Sequence, residues 1–296
     1  MRRTVIAGLD GSPESLAAAG WAAREAVRRG VNLRLLHAVA PPPHGPRTTS
    51  ADLEALGVTS LARSAEALRE TYPDLPITVD EIPGQPLPVL FDATEEAELV
   101  VLGARGVSAA AGFLLGSVAL TVAGQSPVSV VLVRAGEEPS DEHRLDTSGQ
   151  PATATPYRDV VLGLDLTRAS DSVIAFAFDA AARRAANLRV IHGGDETAAG
   201  GLAGVAADLG PGFATPGSDR LTRALGPWQE KYPHTEVITE AVVGAADRHL
   251  IDAATDASLL VIGRRTHRSR VAPHIGSVAH AVLRHTLAPV AVVPHD

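Results

Sequence analysis

Val5-Ile-Ala-Gly-Leu-Asp10, near the start of the chain, recurs as Val160-Val-Leu-Gly-Leu-Asp165, an offset of 155 residues. Each copy is a short apolar run that ends in a carboxylate. Working outward, Leu33-Arg-Leu-Leu-His37 recurs as Leu188-Arg-Val-Ile-His192 at the same offset. Further along, Tyr72-Pro73 matches Tyr232-Pro233, Gly103 matches Gly263, and Gly116-Ser117-Val118-Ala119 matches Gly276-Ser277-Val278-Ala279, now offset by 160. The extra residues fall between His192 and Tyr232, where Gly193-Gly194 and Gly200-Gly201 mark a glycine-rich stretch. A loop insertion there costs little, because closure entropy grows only slowly with loop length. The chain is therefore a tandem repeat of one unit.

Within each unit, short Val/Leu/Ile runs alternate with Ala-, Leu- and Arg-rich segments of helical period. The first half predicts strands at Thr4–Leu9, Asn32–Val39, Ile77–Ile82, Leu99–Leu102 and Val130–Val133. Between them it predicts helices at Pro13–Arg29, Ala51–Glu70, Pro86–Ala97 and Ser117–Gln125. Ser12 before Pro13 is a sound helix start, a capping hydroxyl followed by proline at the first helical position. The second half repeats the strands at Asp159–Leu164, Leu188–Ile191, Glu236–Val242, Leu259–Ile262 and Val290–Val293. Continuous apolar runs belong to parallel strands buried on both faces. The expected architecture is α/β: two tandem, doubly wound, five-stranded parallel sheets of order 3-2-1-4-5. The polar stretch from Arg134 to Pro156 reads as a linker. It separates domains at 1–134 and 157–296, with the linker at 135–156.

Composition narrows the function classes. The 296 residues are 45% hydrophobic but only 3% aromatic, so the cores are aliphatic. There is no Cys, which removes disulfides, thiolate metal sites and thiol nucleophiles. The net charge of −8 argues against a nucleic-acid binder. No apolar run is long enough to span a bilayer and no leader peptide is evident, so the expected location is the cytoplasm. The signatures of P-loop nucleotide hydrolases, serine hydrolases and zinc proteases are missing. His37 and His192 close apolar strands and read as structural, while His267, His274, His280 and His285 are too scattered for a metal site.

The chemistry-bearing segment follows the fourth strand: Gly103-Ala-Arg-Gly106, nine residues, then Gly116-Ser117. Glycines let the backbone approach a ligand, and the free N–H groups at a helix start favour an anion. In this strand order Asp10 and the Gly103 loop face each other at the topological switch point, where α/β proteins bind ligands. An acid beside phosphates makes sense if Mg²⁺ bridges them. Asp10 has a second reading, as a local cap for the helix that follows it.

Gly-x₂-Gly-x₉-Gly-Ser after an apolar strand, with an early Asp-Gly-Ser, closely resembles the ATP-binding universal stress proteins, and the resemblance covers nearly the whole chain twice. It implies an adenine-nucleotide-alpha-hydrolase-like fold. It also implies that Gly103, Gly106, Gly116, Ser117 and Val118 hold phosphates and ribose, that Asp10 helps hold the nucleotide, and that Ala38 offers backbone bonds to adenine. Gly84 matches a family position near the ligand. The equivalent set in the second half is Asp165, Gly193, Gly244, Gly263, Arg264, Gly276, Ser277 and Val278. There Thr266 replaces Gly106, and Leu166-Thr167 replaces Gly11-Ser12. A β-branched residue is unwelcome at positive φ, so the second loop takes another path or the second site is weak. Its loop carries Arg264, Arg265, His267, Arg268 and Arg270. These read either as side-chain contacts to phosphate or as a solvated basic loop.

The resemblance implies an ATP-binding stress-response protein that acts as a nucleotide-dependent regulator, with Mg²⁺ as the companion ion. A slow ATPase and a surface-acting scaffold with vestigial sites are the alternatives; efficient turnover is not indicated. The apolar fifth strands lie at sheet edges that need covering. In the family such edges pair, so the two domains are expected to pack about a pseudo-two-fold axis, and whole chains to form homodimers.

Overall fold

The computed structural model describes residues 4–39, 58–104, 116–193, 216–242, 244–266 and 275–296. The first half runs β1 (Thr4–Leu9), α1 (Pro13–Arg29), β2 (Asn32–Val39), α2 (Val58–Thr71), β3 (Ile77–Pro83), α3 (Pro86–Ala93), β4 (Ala97–Ala104), α4 (Ser117–Gln125) and β5 (Ser129–Arg134). The second half runs β6 (Asp159–Leu164), α5 (Asp171–Arg184), β7 (Leu188–Gly193), α6 (Pro216–Lys231), β8 (Val237–Val242), α7 (Ala246–Ala254), β9 (Ala257–Arg265), α8 (Ser277–His285) and β10 (Val290–His295). The alternation read from sequence is present throughout. Ala51–Gly57 lies outside the described residues, and α3 stops at Ala93 instead of running to Ala97.

Each half has the strand order 3-2-1-4-5, but the halves do not form two separate sheets. They share one ten-stranded sheet, ordered β3-β2-β1-β4-β5-β10-β9-β6-β7-β8. All pairings within a half are parallel, and the joint between β5 and β10 is antiparallel. Val131 pairs with Ala291, its own counterpart in the repeat, while Val130 pairs with Val292 and Leu132 with Val290. An antiparallel pair in which a residue faces its own counterpart has an approximate two-fold axis through that pair. The two apolar edges thus cover each other.

The helices form one layer on each face. Ala18 and Trp21 of α1, Leu61 of α2, Ile174 and Phe178 of α5 and Leu225 of α6 are buried in one core. Val89 of α3, Val122 of α4, Leu250 of α7 and Val282 of α8 are buried in the other. Ser12 caps α1, its hydroxyl accepting from the Ser15 N–H at 3.3 Å, and Gly30 ends the helix with φ 64.

The segment expected to be a polar linker is instead built into the molecule. Pro139–Glu142 forms a 3-10 turn, and Glu142 is 1% exposed. Its carboxylate accepts from Arg24 Nε at 2.8 Å and Arg28 Nη2 at 3.0 Å, both on α1. Glu25, fully buried, accepts from Arg29 at 2.7 Å, Arg28 at 3.1 Å and, across the junction, Arg184 of α5 at 2.9 Å. Arg28 and Arg184 both stack on the buried Trp21 ring, 6.0 and 5.8 Å from its centroid. The arginines hold the Glu25 and Glu142 carboxyls below the usual carboxylate range despite burial. Glu137 behaves oppositely. Burial and the neighbouring Glu142 charge push it up to about 7, against the pull of Arg24.

Candidate functional site

β1 and β4 are neighbours, with Gly8 opposite Leu102, so both strands release their chain at the same end of the sheet. Asp10 leaves β1 there and Gly103 stands at the end of β4. Together with Gly116, Ser117, Val118 and Ala38 they line one cavity of about 320 Å³, within the usual range for ligand pockets. Leu36, Val89, Leu90 and Leu102 give it an apolar floor. His37 Nδ1 donates to the Leu9 carbonyl at 2.8 Å, tying the end of β2 to the end of β1 and so fixing Ala38 relative to Asp10.

Gly116 is the N-cap of α4 and offers no side-chain cap to the first turn. The helix start therefore turns the N–H groups of its first turn, which have no intrahelical acceptor, and its positive dipole end to the cavity. Ser12, not Asp10, caps α1, and Asp10 braces the turn before it. Its carboxylate accepts from the Ser12 N–H at 3.0 Å and from the Ser12 hydroxyl, shaping the turn into α1, and it also lines the cavity. Gly103 is required by packing, because a Cβ there would lie 2.7 Å from the backbone of Glu14 and Ser15 in the first turn of α1. Gly84 is not among the lining residues. It holds φ 148 in the turn between β3 and α3, next to Pro86, which does line the cavity. Gly106 lies outside the described residues.

The second half builds a matching cavity of about 440 Å³ lined by Asp165, Gly193, Gly263, Gly276, Ser277 and Val278. Gly244, like Gly84, holds positive φ, at 96, and does not line it. Asp165 repeats the turn of Asp10, accepting from the Thr167 N–H at 2.9 Å and its hydroxyl at 2.6 Å. Thr266 solves its conformational problem by avoiding it. Its N–H donates to the His295 carbonyl at 2.7 Å beyond the end of β9, and Ala185 is the one non-glycine with positive φ among the described residues.

The expectation that Arg264 reaches phosphate meets a different geometry. Arg264 is 6% exposed, and its Nη2 donates across the junction to the Ser126 carbonyl at the end of α4, at 2.5 Å. Arg134 makes the reciprocal contact, from Nη2 to the Leu283 carbonyl in α8, at 3.2 Å. Arg265 is exposed and lines the second cavity, and His267, Arg268 and Arg270 lie outside the described residues. Sequence reasoning missed Arg168 and His295, which line the same cavity. Arg168 follows Asp165 as closely as Pro13 follows Asp10, a position that could have been compared. His295 carries no local signal, because strand pairing alone brings it to the site.

No group of His, Asp or Glu suited to a metal ion occurs among the described residues, and no described helix is long and apolar enough to cross a membrane. The model of the universal stress protein family matches residues 1–134 and 156–294. Two universal stress proteins of Mycobacterium tuberculosis are 28% and 29% identical to the chain. The first match covers 97% of this chain and 96% of the relative; the second covers 99% and 96%. The crystal structure of a universal stress protein from Archaeoglobus fulgidus superposes with a TM-score of 0.70 at 18% identity, covering 99% of this chain and 98% of that one. A putative universal stress protein from Pseudomonas aeruginosa gives 0.59 at 16% identity, covering 99% and 93%. The chain, with its repeated α/β unit and its two cavities at the strand switch points, belongs to the universal stress protein family.

Proposed function

We propose that the first cavity binds an adenine nucleotide, ATP with Mg²⁺, and that the protein works as a nucleotide-responsive binding module. One observation carries this reading. Asp10, Gly103 and the uncapped start of α4 converge on a single cavity with an apolar floor. The floor of Leu36, Val89 and Leu90 suits a base, and the backbone of Ala38 stands at its rim for hydrogen bonds. The N–H groups at Ser117 and Val118 suit phosphate oxygens. The Asp10 carboxylate suits a divalent ion that phosphates share, and it would otherwise repel them. Such an ion, when bound, neutralises the phosphate charge that the helix start alone does not balance.

Calorimetric titration of nucleotide-stripped protein with Mg-ATP tests the reading. Asp10→Ala is expected to weaken the binding at least tenfold, equivalent to about 1.4 kcal/mol. No heat of binding with the wild-type protein, or wild-type affinity in the variant, would reject it.

A further inference from the structure

Among the described residues, the two cavities differ in charge and in the way each is closed. Among those residues, the first is lined by one acid, Asp10, and by no basic residue; Arg105, the counterpart of Arg265, lies outside them. The second is lined by one acid, Asp165, together with Arg168, Arg264, Arg265 and His295. Arg264 spends its Nη2 on Ser126, but Arg168 and Arg265 are exposed residues at the same end of the neighbouring parallel strands β6 and β9, and both line the cavity.

The cause lies in the helix after the first strand. In the first half α1 starts at Pro13, and its opening turn lies directly on Gly103. The equivalent of Pro13 is Arg168, yet α5 starts only at Asp171, after a 3-10 turn at Leu166–Arg168. The space over Gly263 passes to His295, whose Nε2 would lie 2.9 Å from a Cβ built there. An imidazole thus stands where the first half has helix backbone, Arg168 is freed from a helical turn, and the cavity is larger, about 440 against 320 Å³.

We propose that the second cavity is a metal-independent site for a polyphosphate-bearing nucleotide, in which Arg168 and Arg265 supply the positive charge that the first cavity takes from a divalent ion, and the His295 ring lines the same cavity. Guanidinium groups bind phosphate through paired, charge-assisted hydrogen bonds and need no bridging cation. The uncapped start of α8 at Gly276 and Ser277 adds the same N–H groups as in the first half. The nucleotide part of this assignment rests on the reading of the first cavity; the polyphosphate part stands without it.

The test uses the whole chain, stripped of nucleotide, and three calorimetric titrations: ATP with Mg²⁺, ATP with EDTA, and inorganic tripolyphosphate with EDTA. Two equivalents are expected with Mg²⁺ and one with EDTA. The EDTA-resistant equivalent is expected to weaken at least tenfold in Arg168→Ala/Arg265→Ala. Both arginines are exposed, so the double variant is expected to fold, checked by an unchanged melting temperature. Loss of all ATP and tripolyphosphate binding in EDTA would overturn the proposal while leaving the Mg-ATP reading intact. So would wild-type EDTA-resistant affinity in the arginine variant. Tripolyphosphate binding that depends on Arg168 and Arg265, without any binding of ATP, would keep the polyphosphate site and reject the nucleotide reading instead.

Discussion

Glu25→Gln is the substitution that most directly tests how the halves are held together. Glu25 is 0% exposed and accepts from three guanidinium groups at 2.7, 2.9 and 3.1 Å. Gln has nearly the same volume, so the change opens no cavity and removes only the charge. Arg29 keeps Glu98 at 2.8 Å and Arg28 keeps Glu142 at 3.0 Å. Arg184, buried at 0% side-chain exposure, keeps Glu142 at 3.4 Å, the Ala180 carbonyl at 3.2 Å and the Trp21 ring at 5.8 Å. Breaking a buried ion pair by removing one partner costs about 3–5 kcal/mol, and the two arginines that keep partners place this case near 3. With an unfolding entropy of about 2.1 cal/mol/K per residue, the 296 residues make that a fall in Tm of about 5 °C. Denaturant unfolding at pH 7 measures the free energy and calorimetry the Tm, with the exposed Glu66→Gln as a control expected within about 0.5 kcal/mol. The sign with pH follows from the depressed Glu25 pKa. Its stabilisation is present above the unfolded value near 4.5 and is lost as pH falls through the lower folded value, so wild type and variant converge only in strong acid. A loss below about 1 kcal/mol at pH 7, or a difference that vanishes already at pH 6, would refute the reasoning.

Gly103→Ala should destabilise more than Gly263→Ala, since the first Cβ meets helix backbone at 2.7 Å and the second meets a movable His295 side chain at 2.9 Å; comparative denaturation measures the difference. Glu137, raised to about 7 by burial, favours the folded state below the unfolded value near 4.5, and that contribution is lost as pH rises to about 7; Glu137→Gln should flatten the stability profile in this window. Arg264→Ala leaves the Ser126 carbonyl without its donor and should cost about 1–3 kcal/mol in urea unfolding. Arg265→Ala, on the exposed neighbour, should stay within about 0.5 kcal/mol.

The strands and the cavities were legible because their signals are local. A parallel strand buried on both faces must be apolar along its whole length, so β1, β4 and their repeats announce themselves. Gly103, Gly116 and Asp10 could be placed together once the strand order was known, because a doubly wound sheet puts its switch point there. The ion network was not legible. Glu25 and Arg29 look like an ordinary pair on a solvated helix face, and Glu142 sits in a polar, proline-containing stretch. Their burial exists only after the two halves meet, which no local pattern encodes. Arg264 misled for the same reason: in sequence it belongs to a basic loop, whereas in space it belongs to the junction.

At the junction the repeat departs from its own symmetry. Arg29 and Arg184 are counterparts, related by the 155-residue offset, and they converge on Glu25 from the two sides of the approximate two-fold axis. The counterpart of Glu25 is Ala180. A junction between two first halves would bring two buried Glu25 carboxylates together. One between two second halves would take the buried Arg184 away from Glu25 and leave Asp179, which reaches Arg29 across the present junction at 3.8 Å, as the acid of that helix. Like charges in such a place, or charges without partners, cost several kcal/mol each. A first half against a second half sets Glu25 between the symmetry-related arginines, and Glu142 from the connecting segment adds a second acid to them. The departure from perfect repetition at residues 25 and 180 therefore favours a first half against a second half over either half against its own copy.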